Sequence, residues 1–176
     1  TVLSRGLGDV YKRQTYYNQT STGNTKGLAT VNKVRVLGTN DWIHTVTYYD
    51  EKARPIYVYS KNDYLHTVDI VESKLDFAGK VLETKTTHKR TGKSDIVTLD
   101  VFSYDHAGRM TKQSQQINSQ TTETIVANTY DELGQLKSKE VGGTSNPLQT
   151  VDYSYNIRGW LKNINEDSNA NDNDLF

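Results

Sequence analysis

The sequence has no cysteine among its 176 residues, which excludes disulfides, thiolate nucleophiles and cysteine-ligated zinc sites. It has only two prolines, one methionine and three phenylalanines. Lys plus Arg and Asp plus Glu stand at 21 each, so net charge gives no reason to expect nucleic acid or an anionic membrane as a partner. No apolar run approaches the roughly 18 residues of a membrane-spanning helix, and the first residues lack the apolar core of a signal peptide. The composition leaves the compartment open.

A short motif recurs along the chain at nearly constant spacing. The segment SYDHAGRM at 103–110 returns as TYDELGQL at 129–136. Related copies begin at residues 49, 75, 104, 130 and 155, with steps of 26, 29, 26 and 25 residues. A period between about 20 and 50 residues is typical of repeat architectures, in which each unit buries its apolar face against its neighbours.

Four copies place an Asp or Asn three residues before a Gly. These pairs are Asp76 and Gly79, Asp105 and Gly108, Asp131 and Gly134, and Asn156 and Gly159. An Asx residue at the first position of a type I turn bonds back to the backbone, and Gly supplies a positive φ at the fourth. The same arrangement closes hairpins through a bulge. Each copy therefore predicts a hairpin corner.

The segments around the corners have the composition of strands, since Thr, Val, Ile and Tyr dominate them. Turn formers at 90–95 (RTGKSD), 118–121 (NSQT) and 142–147 (GGTSNP) predict the opposite ends of the hairpins. We therefore expect an all-β fold of stacked antiparallel β-hairpins, with strands of about 8 residues, hence roughly 26 Å long. No window shows helical periodicity.

The sequence divides into four parts. Residues 1–14 resemble a translated sequencing adapter, and we exclude them from the fold; Arg5, Lys12 and Arg13 could otherwise form a basic arm for nucleic acid. Residues 15–40 are expected to be an irregular lead-in with a first strand. Residues 41–164 are expected to form the repeat region, and residues 165–176 are expected to be a truncated polar linker.

Twelve tyrosines stand beside only three phenylalanines. A tyrosine before each turn can pack across strands while its hydroxyl reaches a polar edge. The alternative is that tyrosines, with Trp42 or Trp160, stack on a sugar ligand. We prefer the structural interpretation, since packing within a sheet is the usual role of strand aromatics.

Candidate chemical sites are weak. TTHKRTGKS at 86–94 ends like a phosphate-binding loop, but the required first Gly would fall at Thr87 and no helix is predicted after it, so a hairpin loop is the better interpretation. Asp167, Asn169 and Asn171 begin like a calcium loop, but Asp172 replaces its Gly, and a solvated linker is favoured.

The histidines have no carboxylate at a spacing typical of metal sites or proton relays; they are His44, His66, His88 and His106. No GxSxG motif occurs. The NQT at 18 is a formal glycosylation sequon and carries no functional argument here.

The pattern Tyr-Asp-x-x-Gly-Arg-Leu resembles the YD-repeat, or Rhs (rearrangement hotspot), family of bacterial polymorphic toxins, cell-wall proteins and animal teneurins. The similarity runs from about residue 26 to 164 and includes TVTYYDEKARPI, DFAGKVLETKTTH, NTYDELGQL and VDYSYNIRGWL. It looks like the repeat region of large Rhs-like surface proteins of Bacteroidota. The resemblance implies long strands that spiral into a hollow β-shell, which encloses a C-terminal toxin or displays a surface for ligands.

Four positions depart from the family pattern. Ala53 replaces a Gly, so that corner must hold a non-Gly residue at positive φ, at a cost of about 1 kcal/mol, or use another turn. Leu75 replaces the Tyr and Asn156 an Asp, and Pro55 favours an edge or bulged strand. The chain lacks Asp-Pro, so the self-cleavage of some Rhs shells is not carried over.

The repeat pattern predicts a structural scaffold and no enzyme, and the family resemblance implies that it is part of a secreted or cell-surface protein. We expect no catalytic, cofactor-binding or metal-binding residue. Expected partners are neighbouring repeats of the same full-length chain, an enclosed toxin domain and surface glycans, without nucleic acid or a membrane span. The alternative function is a carbohydrate- or receptor-binding module.

Overall fold

The computed structural model describes residues 15–165, and this part of the chain is all-β, as the sequence predicts. It contains no helix, and so none that is long and apolar enough to cross a membrane. The strands are β1 Thr15–Tyr16, β2 Gln19–Thr20, β3 Val31–Arg35, β4 Trp42–Tyr49, β5 Pro55–Asn62, β6 Thr67–Leu75, β7 Val81–Arg90, β8 Ile96–Tyr104, β9 Met110–Ile117, β10 Glu123–Tyr130, β11 Leu136–Val141, β12 Gln149–Tyr155 and β13 Leu161–Ile164. The adapter-like segment and residues 166–176, with the calcium-loop candidates, lie outside the described residues.

The chain forms two compact units, Thr1–Leu99 and Asp100–Phe176, and β8 spans the boundary between them. In the first unit, β3 to β7 pair antiparallel in chain order. In the second unit, β9 to β13 do the same. Within each of these two sets, consecutive strands pair with each other, which is the arrangement that stacked hairpins require.

The apolar core of the first unit is small. Ile56 and Tyr57 are buried, and they pack against Tyr48, Tyr59, Ile70 and Leu75. The rings of Tyr48 and Tyr57 lie directly opposite across β4 and β5 and meet edge to face, with centroids 5.8 Å apart. Most other strand residues are half-buried, so cross-strand pairs contribute much of the packing.

Oppositely charged side chains face each other across β6 and β7. Lys74 lies directly opposite Glu83 and forms an ion pair with it. Glu72 lies opposite Lys85, with 3.1 Å between carboxylate and ammonium. Such pairs favour this register over a slip by one residue, which would bring each charge opposite a different neighbour.

Pro55 begins β5 at a bulge. A bulge and an edge strand are the two positions that the sequence predicted for this proline, because it has no N–H to donate. The register shifts between Tyr48 and Tyr49, and Tyr49 is opposite Pro55. The strand is not at an edge, because it pairs with β4 and β6. The β5–β6 ladder ends at the pair of Tyr57 and Glu72.

The Gln19 side chain binds the backbone of β6 beyond the end of that ladder. Its amide nitrogen donates to the Ser73 carbonyl at 2.7 Å, and its amide oxygen accepts from the Leu75 N–H at 3.1 Å. A side-chain amide thus satisfies backbone groups that no β5 residue reaches, which holds the segment around Gln19 against β6.

The turns at the non-corner ends occur at all three predicted places. Amide-to-carbonyl hydrogen bonds of 3.0 Å join Lys93 to Arg90, Gln120 to Ile117 and Leu148 to Val141. A further turn, between β5 and β6, was not predicted. There the Asn62 side chain accepts from the Leu65 N–H at 3.0 Å, and His66 has a φ of 53°.

Candidate functional site at the hairpin corners

Five hairpin corners share one backbone geometry. Each has five residues, called positions 1 to 5, and they are 50–54, 76–80, 105–109, 131–135 and 156–160. In every corner the position 4 amide donates to the position 1 carbonyl at 2.9 to 3.1 Å, and the position 1 amide donates to the position 5 carbonyl at 2.9 Å. Position 4 has a positive φ in all five, from 60° to 99°. The predicted placement of the corners on the Asx-x-x-Gly tetrads is confirmed.

The Asx side chain at position 1 closes each corner. Its Oδ1 atom accepts the position 5 N–H at 2.8 to 3.0 Å in all five corners. This bond satisfies a backbone donor at the point where the ladder is interrupted by a bulge. Asn156 accepts this bond in the same way as the aspartates. Asparagine in place of aspartate therefore keeps the corner geometry and removes the charge.

Three of the corner aspartates have a pKa below the ordinary value. Hydrogen bonding from the Lys80 backbone lowers the pKa of Asp76. For Asp50 and Asp105, partial burial raises the pKa, and hydrogen bonds from Arg54 and Arg109 outweigh it. These hydrogen bonds favour the ionised form, which is the form that accepts them.

Ala53 adopts the left-handed conformation that glycine supplies elsewhere, with a φ of 60°. Of the two alternatives for this corner, strained alanine or another turn, the structure has the first. The corner also contains a close ion pair, because the Arg54 side chain donates to Asp50 Oδ2 at 2.7 Å through Nε and lies 2.6 Å away through Nη2. The ion pair adds a side-chain contact within the strained corner.

The position 5 side chain extends from its own corner to the glycine of the next one. Arg54 Nη1 donates to the Asp76 carbonyl at 3.1 Å and lies 3.2 Å from where a Cβ on Gly79 would be. In the second unit, Arg109 Nη1 lies 2.7 Å from the corresponding point at Gly134. Gln135 Nε2 lies 2.9 Å from that of Gly159. A Cβ at position 4 of these three corners would therefore meet the end of the side chain from the preceding corner, in addition to the strain of a positive φ.

The tyrosine before a corner bonds back to the preceding hairpin. The Tyr130 hydroxyl donates to the Met110 carbonyl at 2.8 Å, and the Tyr155 hydroxyl to the Leu136 carbonyl at 3.0 Å. Both acceptors are the first residue after the preceding corner. The Arg109 guanidinium also lies over the Tyr130 ring, 4.5 Å from its centroid. The Tyr, Asx, Gly and position 5 residues together form one contact between adjacent corners, here called the corner interlock.

A sixth related turn lies before the first predicted corner. Asn24 and Gly27 precede Asp50 and Ala53 by 26 residues, and Gly27 has a φ of 79°. The Tyr49 hydroxyl donates to the Ala29 carbonyl at 2.9 Å, as the other motif tyrosines do to theirs. The backbone bond is shifted, because the Leu28 amide donates to Thr25. This turn could have been predicted from the sequence by looking one period of 26 residues before Asp50.

Two histidines have carboxylate partners that the sequence analysis did not anticipate. His44 Nε2 lies 3.0 Å from Asp63 Oδ2, and His88 Nδ1 lies 2.5 Å from Asp69 Oδ1. The sequence spacing gave no sign of these pairs, because strand register brings together residues 19 positions apart. Asp63 also binds Lys61 at 2.8 Å; that hydrogen bond is the main cause of its lowered pKa.

The other candidates from the sequence, which are the phosphate-loop-like segment, the two tryptophans and the remaining histidines, do not come together in one site. Residues 86–90 of the phosphate-loop-like segment lie in β7, and residues 91–94 continue into the turn after it. Lys33 lies over the Trp42 ring at 4.4 Å, whereas the Trp160 side chain is 65% exposed beside Arg158. Within residues 15–165, no three His, Asp or Glu side chains are grouped closely enough to hold a metal ion. His66 and His106 are exposed.

No model of a known protein family matches this chain, and no curated protein matches it.

Proposed function

We propose that this chain is a segment of a repeat scaffold of the YD-repeat (Rhs) type, whose work is to build a β-sheet wall. The observation that carries the proposal is the corner interlock, which joins consecutive corners through the position 5 side chain in both units and also through the tyrosine hydroxyl in the second. Nearly all the motif residues are used in this contact, so their recurrence is accounted for by assembly. The family resemblance supports a larger secreted or cell-surface protein around it, with a C-terminal toxin or effector enclosed or displayed.

An in-phase deletion tests the scaffold. Removing residues 105–130 joins Tyr104 to Asp131 and deletes one period of 26 residues. A modular scaffold should keep its strand content and a cooperative melt, because each repeat contacts only its neighbours. Circular dichroism and thermal unfolding measure both.

The matched control is an out-of-phase deletion. Removing residues 105–124 takes out fewer residues but joins Tyr104 to Ile125 and destroys the alignment of strands with corners. The larger, in-phase deletion should be tolerated better than the smaller one. Equal loss of structure in both variants would contradict a modular scaffold.

A carbohydrate-binding surface is the second candidate, favoured by the exposed ring of Trp160 beside Arg158. Retention on heparin and a glycan array test it. Saturable binding that is lost in Trp160→Ala would establish this function, and a pure scaffold should show none. Trp42→Phe is the matched control, since that ring is half-buried under Lys33.

A further inference from the structure

The turn between β7 and β8 differs in charge from the other turns at the non-corner ends. It contains Lys93, and Lys89 and Arg90 come directly before it at the end of β7. The other turns at these ends contain neither lysine nor arginine; they are residues 36–41, 63–66, 118–122 and 142–148. A group of three basic side chains is thus found at this turn alone among them.

The same turn is the most open stretch of the described chain. Residues 89–96 are all exposed, and no longer exposed run occurs elsewhere in the part of the chain that the structure describes. Nothing lies within 4 Å of the Cβ position of Gly92. The Lys93 amide donates to the Arg90 carbonyl at 3.0 Å, which holds the turn by a local bond. An exposed turn with small residues and few contacts opens at little cost.

Basic residues elsewhere lie in firmer surroundings. Lys52 is in a corner that two backbone bonds close, and its ammonium donates to the Phe77 carbonyl at 2.9 Å. Lys112 is in β9, where it pairs with Ala127 of β10. Exposing the backbone of either residue to another protein would break a corner or a ladder, whereas opening the β7–β8 turn breaks neither.

The position of this turn in the chain also sets it apart. It lies a few residues before the boundary between the two compact units, which falls between Leu99 and Asp100. Strands β3 to β7 pair among themselves before the turn, and β9 to β13 do so after it. A break of the chain within the turn therefore leaves the strand pairs of both sets uncut.

We propose that the β7–β8 turn is a processing site for a protease that cuts after lysine or arginine, with the bond between Lys93 and Ser94 as the bond that is cut. Such a protease binds the basic side chain before the cut in a pocket that carries a carboxylate. Lys93 is exposed, and its neighbours Gly92 and Ser94 are small. Water adds across the bond and leaves a carboxylate on Lys93 and an ammonium on Ser94. This goes beyond the scaffold function, because it divides the chain and keeps every strand.

Limited digestion of the full chain with trypsin tests the site, with intact mass spectrometry to identify the pieces. The first cut within residues 15–165 should fall after Lys93 and produce a piece that begins at Ser94. Circular dichroism of the cut protein should match that of the uncut protein, because no ladder is broken. The double variant Arg90→Gln/Lys93→Gln should be cut at least about tenfold more slowly. Lys112→Gln is the matched control and should be cut like the parent.

A second enzyme separates openness of the turn from its charge. Chymotrypsin cuts after aromatic residues, and Tyr64 is 54% exposed in the turn between β5 and β6. That turn is braced, since the Asp63 amide donates to the Trp42 carbonyl at 3.0 Å. Each rate is divided by the rate at the same bond in the urea-unfolded chain. The ratio at Tyr64 should be at least about tenfold lower than the ratio at Lys93.

Three results would overturn the site. A first cut elsewhere within residues 15–165, or an unchanged rate in the double variant, would show that the protease does not select this turn. Equal ratios at Tyr64 and Lys93 would show that the turn is no more open than a braced one. Loss of the strand signal in step with the cut would show that the fold needs an unbroken chain here, which excludes a processing site.

Discussion

The two ends of the hairpins follow different rules. At the corner end, five turns share the same backbone bonds, the same Asx acceptor and the same positive φ. At the opposite end, the turns vary from four to seven residues and lie between Asn62 and Thr67, Arg90 and Ile96, Ile117 and Glu123, and Val141 and Gln149. Corners must match because adjacent ones contact each other. The opposite turns also bond to neighbouring hairpins, as the Thr91 amide does to the His66 carbonyl and the Gly142 amide to the Ile125 carbonyl. These bonds do not repeat from one turn to the next, so the opposite turns need not match.

Gly134→Val should have the largest effect. Valine resists a φ of 84°, which costs at least about 1 kcal/mol, and its side chain also crowds Arg109 Nη1, for a total of about 2 kcal/mol. Gly92→Val, at an opposite turn, is the matched control, because its φ is 76° and nothing lies within 4 Å of its Cβ position. Urea unfolding measures both, and Gly108→Val should also cost at least about 1 kcal/mol. Equal costs at Gly134 and Gly92 would remove the distinction between the two ends.

Arg54→Ala comes next, at about 1.5 to 2 kcal/mol of unfolding free energy. It removes the ion pair with Asp50, a carboxylate only 11% exposed, and the bond to the Asp76 carbonyl of the next corner. Arg90→Ala, at the exposed end of β7, should change stability by less than about 0.5 kcal/mol. Similar effects in the two variants would mean that position 5 adds nothing to the corner.

The corners also differ in whether position 1 is an ionised aspartate or a neutral asparagine, and this difference should appear as a different loss of stability in acid. Because Asp50, Asp76 and Asp105 have a lowered pKa when folded, their stabilisation is present above the ordinary value of about 4 and is lost as pH falls through the folded value. Asp105→Asn should therefore lose less stability than the parent between about pH 5 and pH 2. Identical acid profiles of parent and Asp105→Asn, from unfolding at each pH, would contradict this.

Tyr130→Phe has the smallest expected effect, about 1 kcal/mol, because it removes only the hydroxyl bond to the Met110 carbonyl. Tyr64→Phe, in the exposed turn between β5 and β6, should cost almost nothing. Thermal unfolding of the two variants compares them. A parent-like melt for Tyr130→Phe would show that the motif tyrosine acts through its ring alone.

The corner end was predictable from the sequence because its geometry is local. An Asx and a positive-φ residue three positions apart define a turn whatever surrounds them, and even Ala53 follows this rule. The contacts between corners were not predicted, since Arg109 meets Gly134 only after the hairpins pair. The recurrence of long side chains at position 5 was the signal that could have indicated them. The pairs His44–Asp63 and His88–Asp69 depend on register in the same way.

A double-mutant cycle on Arg109→Ala and Gly134→Ala tests the corner interlock most directly. In the parent, Gly134→Ala strains the backbone and also displaces Arg109; in Arg109→Ala only the strain remains. The account predicts that Gly134→Ala costs about 0.5 to 1 kcal/mol less in the Arg109→Ala background, while Gly92→Ala costs the same in both. Additive costs at Gly134 within about 0.3 kcal/mol would show that adjacent corners do not interlock.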